Sequence, residues 1–199
     1  MKFIWNRDPQ ELLQQLSEPD NYIVAGRDGL YDVRVGEIGT FIARARRPVL
    51  HLQPMRQGVV FNLPKVPYSL LQEAFTLFYA YKEKGVEARY QVFWNRDTGS
   101  YFGHMPRFVS TAVQLDTERS VELERRHLLV VDLHSHLSDR AGFSSVDDEN
   151  EMESERFYGV VAVGRALPDL AMRFSCGGNY VPVDPAEVFE LPYRGAVLL

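Results

Sequence analysis

The sequence predicts an α/β protein with a mixed, curved β-sheet and flanking helices, preceded by a small, mainly β region. Up to residue 57, short strand-like runs alternate with turns that contain glycine, which is typical of an antiparallel meander. From residue 58 onward the runs read strand, helix, strand, strand, helix, strand, loop, strand, strand, an order that suits an α/β sandwich. We therefore predict an N-terminal β-rich region at residues 1–57 and a second domain at residues 58–199.

The N-terminal region contains one predicted helix, from Pro9 to Ser17, and several predicted strands. The strands cover residues 22–25, 30–35, 40–45 and 49–52. Glycine-containing turns at 26–29 and 36–39 separate the first three of them, which predicts an ordered β unit.

The second region begins with a strand and an amphipathic helix. Residues 67–84 carry apolar side chains at intervals of three and four, the period of a helix with one buried face. Gly85 supplies the expected stop. The predicted strands cover residues 58–63, 86–94, 107–113, 128–133, 157–163 and 170–174.

A group of potential metal ligands follows the apolar, β-branched run at 128–133. Residues two apart in a strand point to the same face, so His134 and His136 would direct their imidazoles at one point while Ser135 turns away. The loop 137–143 can then fold back and bring Asp147 to the same point. Zinc held by two histidines and one carboxylate keeps a fourth position for water, which is typical of catalytic sites.

The same residues also have an ordinary interpretation. Histidines near a strand end are common, and Ser144 with the acids after it predicts a helix N-terminus, with a capping serine and charges that suit the helix dipole. The two interpretations are compatible, because a helix start can hold Asp147 rigid while it binds a metal.

The pattern His134-Ser135-His136, a seven-residue spacer and Ser144-x-x-Asp147 resembles the JAMM signature of the MPN-domain zinc metalloproteases, in its prokaryotic JAB type. The resemblance implies an MPN-like fold over roughly residues 58–190 and zinc-dependent isopeptidase or peptidase activity. It also implies zinc ligation by His134, His136 and Asp147, with a transition-state hydrogen bond from Ser144. Leu137 departs from the family, which usually has a proline there that would restrict the backbone.

The family resemblance also implies a glutamate from an earlier strand that handles the proton of the attacking water. The upstream candidates are Glu73, Glu83 and Glu87. The first two belong to the predicted helix, whereas Glu87 lies near the start of the next strand, where the family places its glutamate. We predict Glu87 as the general base, the alternative being an exposed acid at a strand end.

The resemblance implies that the substrate is an amide bond after the C-terminal tail of a ubiquitin-like protein. The overall layout is also similar to protein A of the PRTRC plasmid cassette, which implies ubiquitin-like proteins and their activating-enzyme-like proteins as partners. Two alternatives stay open: a non-catalytic MPN scaffold that binds protein partners, and a metallopeptidase acting on small peptides or amino-acid conjugates.

The amino-acid composition limits which kinds of partner and which cellular compartment we expect. A net charge of -5 and a pI near 5.6 argue against a nucleic-acid partner bound through phosphate neutralisation. The single cysteine, Cys176, excludes an internal disulfide and is expected to be a small buried or semi-buried residue in a reducing compartment. Because there is no apolar signal core and no stretch long enough to span a bilayer, we expect a cytoplasmic protein that does not bind membranes.

Overall fold

The structure is a computed structural model. It describes residues 2–5, 11, 16, 19–45, 56–110, 115–117, 121–152 and 154–192. Within these ranges strands dominate and form two large sheets and a small ribbon, with few helices. The prediction of a mixed α/β protein is confirmed at this level.

The chain divides into two compact units. One comprises Met1–Pro64, Glu149–Glu155 and Phe174–Val181, and the other comprises Lys65–Asp148, Arg156–Arg173 and Pro182–Leu199. The domain boundary between residues 57 and 58 stays a prediction.

The first sheet has five strands in the order β1-β2-β3-β4-β5. They are β1 Lys2–Trp5, β2 Asp20–Gly26, β3 Gly29–Val35, β4 Gly39–Arg44 and β5 Gly58–Phe61. Strand β1 is parallel to β2, and the other neighbours are antiparallel, as the glycine-containing turns predicted for β2 to β4. The predicted strand at 49–52 lies outside the described residues, as does most of the predicted helix at 9–17.

Alternation along these strands builds the core of this unit. Tyr22 pairs with Val33, and Val24 pairs with Tyr31, so their side chains share one face of the sheet. All four are buried and pack with Ile42. Cys176, in the same compact unit, is fully buried as predicted, and burial raises the pKa of its thiol to about 12.

The second sheet has six strands in the order β13-β12-β11-β10-β6-β7. They are β6 Arg89–Asn95, β7 Ser100–His104, β10 Leu128–His136, β11 Arg156–Ala162, β12 Asp169–Cys176 and β13 Asn179–Val183. Strand β10 is parallel to β11 and antiparallel to β6, with a β-bulge between Leu129 and Val131. Strands β8 Phe108–Ser110 and β9 Leu115–Thr117 form a separate antiparallel ribbon.

Among the described residues from 56 onward, the helices are α1 Tyr68–Lys82, α2 Val121–Arg126, α3 Ser145–Glu151 and α4 Pro185–Val188. Helix α1 buries Leu71, Ala74 and Phe78, which lie on one helical face, and packs against β6 and β10. Gly85 follows with a positive φ of 68°, so the predicted helix and its stop are confirmed to within two residues. No helix in the described ranges is long and apolar enough to cross a bilayer.

Gly159 on β11 identifies the two faces of the second sheet. A Cβ at Gly159 would lie 2.5 Å from Leu133 Cδ2 and within 3.5 Å of Leu170 and Met172. These three apolar side chains therefore meet on one face. Because neighbouring residues in a strand point to opposite faces, His134 and Arg173 project to the other side.

Candidate metal centre

The two histidines lie at the end of strand β10, which continues through the motif and ends at His136. His134 Nε2 lies 3.1 Å from His136 Nε2. Ser135 points the other way, where its hydroxyl accepts a hydrogen bond from the Ala88 amide at 2.9 Å. The period of the strand thus brings both imidazoles to one face, where their ring nitrogens converge.

The loop after β10 is held by hydrogen bonds to the connection between β11 and β12. The Val163 amide donates to the His136 carbonyl at 3.0 Å, and the Gly164 amide donates to the Ser138 carbonyl at 2.8 Å. The Ala141 amide donates to the Asp169 carboxylate at 2.9 Å. The path of the loop is therefore fixed by the neighbouring connection, without a proline at position 137.

Asp147 is delivered by the first turn of α3. Its Oδ1 lies 3.0 Å from His134 Nε2. Its Oδ2 accepts hydrogen bonds from the Ser144 amide at 2.6 Å and the Ser144 hydroxyl at 2.7 Å, and the Asp147 amide donates back to the Ser144 hydroxyl at 3.3 Å. This reciprocal arrangement is a capping box. The helix-start interpretation and the ligand interpretation therefore describe one structure.

The three side chains fit a metal ion. One ligand atom each from His134, His136 and Asp147 lies within 4.8 Å of the others. Tetrahedral zinc with bonds of about 2.0–2.2 Å separates its ligand atoms by about 3.3 Å. The observed separations of 3.0 and 3.1 Å are close to that value. Two imidazoles and one carboxylate are also a donor set that zinc uses in proteins.

The protonation of these groups favours metal binding. Burial lowers the pKa of His136, the charge of His134 lowers it further, and Asp147 opposes both. The neutral imidazole, which is the form that binds metals, is thereby favoured. Burial acts to raise the pKa of Asp147, but the hydrogen bond and charge of His134 and the hydrogen bonds from Ser144 outweigh it, so that this pKa is lowered. Asp147 is therefore a carboxylate at neutral pH.

Glu87 lies just before β6, which begins at Arg89 rather than at residue 86 as predicted. The Ser135 amide donates to the Ala88 carbonyl at 2.9 Å, so the chain still follows β10 at this point. Arg89 pairs with His134, and Glu87, two residues earlier, faces the same side of the sheet.

The environment of Glu87 differs from that of the other candidate bases. Burial raises the pKa of Glu87, His134 lowers it and Asp147 raises it, so both charges act on this carboxyl. Glu73 on α1 and Glu83 at its C-terminal cap are both exposed. The carboxyl of Glu87 thus interacts electrostatically with two residues of the metal-binding group.

Two further polar groups lie on this side of the sheet: Asp132, which strand alternation places on the face of His134, and Arg173, which was not singled out from the sequence. Asp132 accepts hydrogen bonds from Arg89 Nε at 2.7 Å and from Gln91 Nε2 at 3.2 Å. Arg173 donates from Nη1 to Asp148 Oδ1 at 2.6 Å. The sequence signal for such a group is a charged residue within an otherwise apolar strand. Such a residue indicates a buried ion pair, because buried charges are nearly always paired.

No protein-family model matches the chain, and no curated protein was found to match it. The converging side chains are therefore the basis for a functional proposal.

Proposed function

We propose that this chain is a JAMM-type, zinc-dependent isopeptidase or peptidase that hydrolyses the amide bond after the C-terminal tail of a ubiquitin-like protein. The observation that supports it is the convergence of His134, His136 and Asp147 with Glu87 beside them. The spacing of the motif further supports membership of the MPN-domain family, and we propose an MPN-like arrangement for the second sheet and its helices.

Zinc bound by His134, His136 and Asp147 would supply Lewis-acid chemistry and lower the pKa of water from about 15.7 toward about 7. Glu87 would accept the proton of the attacking water and, once protonated, donate it to the departing amine. The raised pKa of Glu87 favours this return step, because a carboxyl that titrates closer to neutral pH holds the transferred proton more readily.

Ser144 would stabilise the oxyanion that forms when the substrate carbonyl becomes tetrahedral. Its side chain is exposed, and its hydroxyl and amide both donate to Asp147 Oδ2. The hydroxyl can therefore rotate toward the substrate while the amide keeps its hydrogen bond to the carboxylate. Loss of one such donor costs roughly 3 kcal/mol in transition-state stabilisation where it has been measured.

We propose a glycine-terminated tail as the recognised segment, with activating-enzyme-like proteins as further partners. A tail without bulky side chains can lie extended beside a sheet edge, where backbone hydrogen bonds provide the affinity. The second sheet offers β7 and β13 as its edge strands.

The test is cleavage of a ubiquitin-like protein whose C-terminal glycine is joined to a lysine side chain, with the full chain loaded with one equivalent of zinc. We expect mass spectrometry to detect the ubiquitin-like protein with a free C-terminal tail. Cleavage should be lost with a chelator and in His136→Ala, and it should return when zinc is restored to the wild-type chain. Zinc binding without any cleavage would favour the partner-binding scaffold. Cleavage of short peptides alone would favour the small-substrate metallopeptidase.

A further inference from the structure

Arg173 on β12 contacts the two residues that flank the segment Ser144–Asp147. Its guanidinium carbon lies 3.8 Å from the centre of the Phe143 ring. Its Nη1 donates to Asp148 Oδ1 at 2.6 Å. One side chain therefore contacts the residue before the capping serine and the residue after the aspartate.

The placement of Arg173 suits a rigid contact. Its side chain is 9% exposed, whereas that of Asp148 is 48% exposed. Arg173 on the strand is therefore the fixed partner of this contact, and Asp148 at the helix start is the more accessible partner. Arg173 projects to the same side of the sheet as His134. A guanidinium that is largely removed from water requires compensation, which the carboxylate and the aromatic face both provide.

We propose that Arg173 is a positioning residue for the metal centre: by holding Phe143 and Asp148 it keeps Asp147 at the distance from His134 that a shared ion requires. This inference rests on the metal-binding part of the proposed function and not on peptidase activity. A lysine could not reproduce it fully, because the planar guanidinium stacks on the ring and bonds to the carboxylate at the same time.

The test compares Co²⁺ binding by the full chain and its variants Arg173→Met and Arg173→Lys. Mutation of groups that orient metal ligands typically weakens metal affinity about 10- to 100-fold. We expect a weakening in that range for Arg173→Met, a changed d–d absorption spectrum, and a partial recovery in Arg173→Lys. Glu149→Ala, which removes an exposed acid from the same helix, is the matched control and should bind Co²⁺ as the wild type does.

A second measurement follows the Ser144 amide, which donates to Asp147 Oδ2, in the metal-free protein. Its hydrogen exchange should become roughly tenfold faster in Arg173→Met, because the helix start opens locally. Faster exchange of the Ser144 amide supports the positioning role even if the wild type binds no Co²⁺. Absence of Co²⁺ binding by the wild type would instead contradict the proposed function.

A lower melting temperature in Arg173→Met, with unchanged Co²⁺ affinity, spectrum and Ser144 exchange, would show that Arg173 only stabilises the fold and would overturn the proposal. If Arg173→Met does not fold, Asp148→Ala decides the question, since it removes the partially exposed partner of the same contact. Wild-type Co²⁺ affinity and Ser144 exchange in Asp148→Ala would likewise overturn it.

Discussion

Ser144 and Asp147 hydrogen-bond to each other in both directions. Two donors of Ser144 bind Asp147 Oδ2, and the Asp147 amide returns a bond to the serine hydroxyl. Oδ1 is directed to His134 at 3.0 Å. The start of α3 therefore fixes the orientation of the carboxylate, and any change that loosens the cap should also loosen the metal site.

The first prediction concerns zinc retention. His134→Ala and Asp147→Ala should each lose zinc on gel filtration, because two remaining protein ligands rarely hold a catalytic ion against water and buffer. Elemental analysis by mass spectrometry measures the content. His104→Ala, which alters a histidine packed on Phe93, is the control and should keep zinc. Stoichiometric zinc in both ligand variants would refute the assignment.

The second prediction separates the general base from the ligands. Glu87→Gln should keep zinc and fold but lower the cleavage rate about a hundredfold or more, since the amide cannot accept the proton. Zinc content and rate are measured on one preparation. Glu83→Gln, an equivalent change at an exposed position, should leave the rate unchanged. Full zinc with undiminished cleavage in Glu87→Gln would exclude Glu87 as the base.

The third prediction tests the anchoring of the loop. A Cβ at Gly164 would lie 2.5 Å from the Ser138 carbonyl oxygen, a backbone atom that must move to accommodate it. Gly164→Ala should therefore displace the loop and weaken zinc binding. Gly142→Ala is the control within the same loop, because no atom lies within 4 Å of its added Cβ. Equal zinc affinities for the two variants, measured by competition with a fluorescent chelator, would contradict this account.

The fourth prediction is the pH dependence of zinc affinity. The pKa of His136 is lowered below the ordinary histidine value, so protons compete with zinc only at more acidic pH, and Asp147 stays ionised throughout that range. As far as protonation of these two ligands is concerned, the zinc affinity should not change between pH 8 and pH 7. On further acidification, it should fall by up to about tenfold per pH unit for each proton displaced. Calorimetric titrations across this range measure it. Complete loss of zinc binding already at pH 7 would contradict the lowered pKa of His136.

Sequence periodicity was sufficient for the elements whose burial follows a regular pattern. Helix α1 and strand β10 were predicted because their apolar residues repeat with the helical period or form a continuous run. Strand β7 was missed, since Ser100–His104 is short and includes a glycine. Its pairing with β6 and the stacking of Phe102 on Phe93 are tertiary features that local propensity does not contain.

The metal-binding group was predictable to the extent that it depends on local geometry. The shared face of His134 and His136 follows from strand alternation, and the capping serine fixes Asp147 within one helical turn. Arg173 was not predictable in the same way. Its contact with Asp148 depends on bringing β12 beside the start of α3, and a single arginine in an apolar strand does not specify its partner.

The β-bulge in β10 determines the side of the sheet on which Glu87 lies. Leu129 pairs with Phe93 and Val131 with Val92, so Val130 is an extra residue in this pairing. If Val130 instead paired with Val92 in a regular ladder, every later pair would shift by one residue, and Glu87 would lie opposite Ser135 instead of sharing the face of the histidines. The same residues in the same order would then place the proposed base and the proposed ligands on opposite surfaces of the sheet.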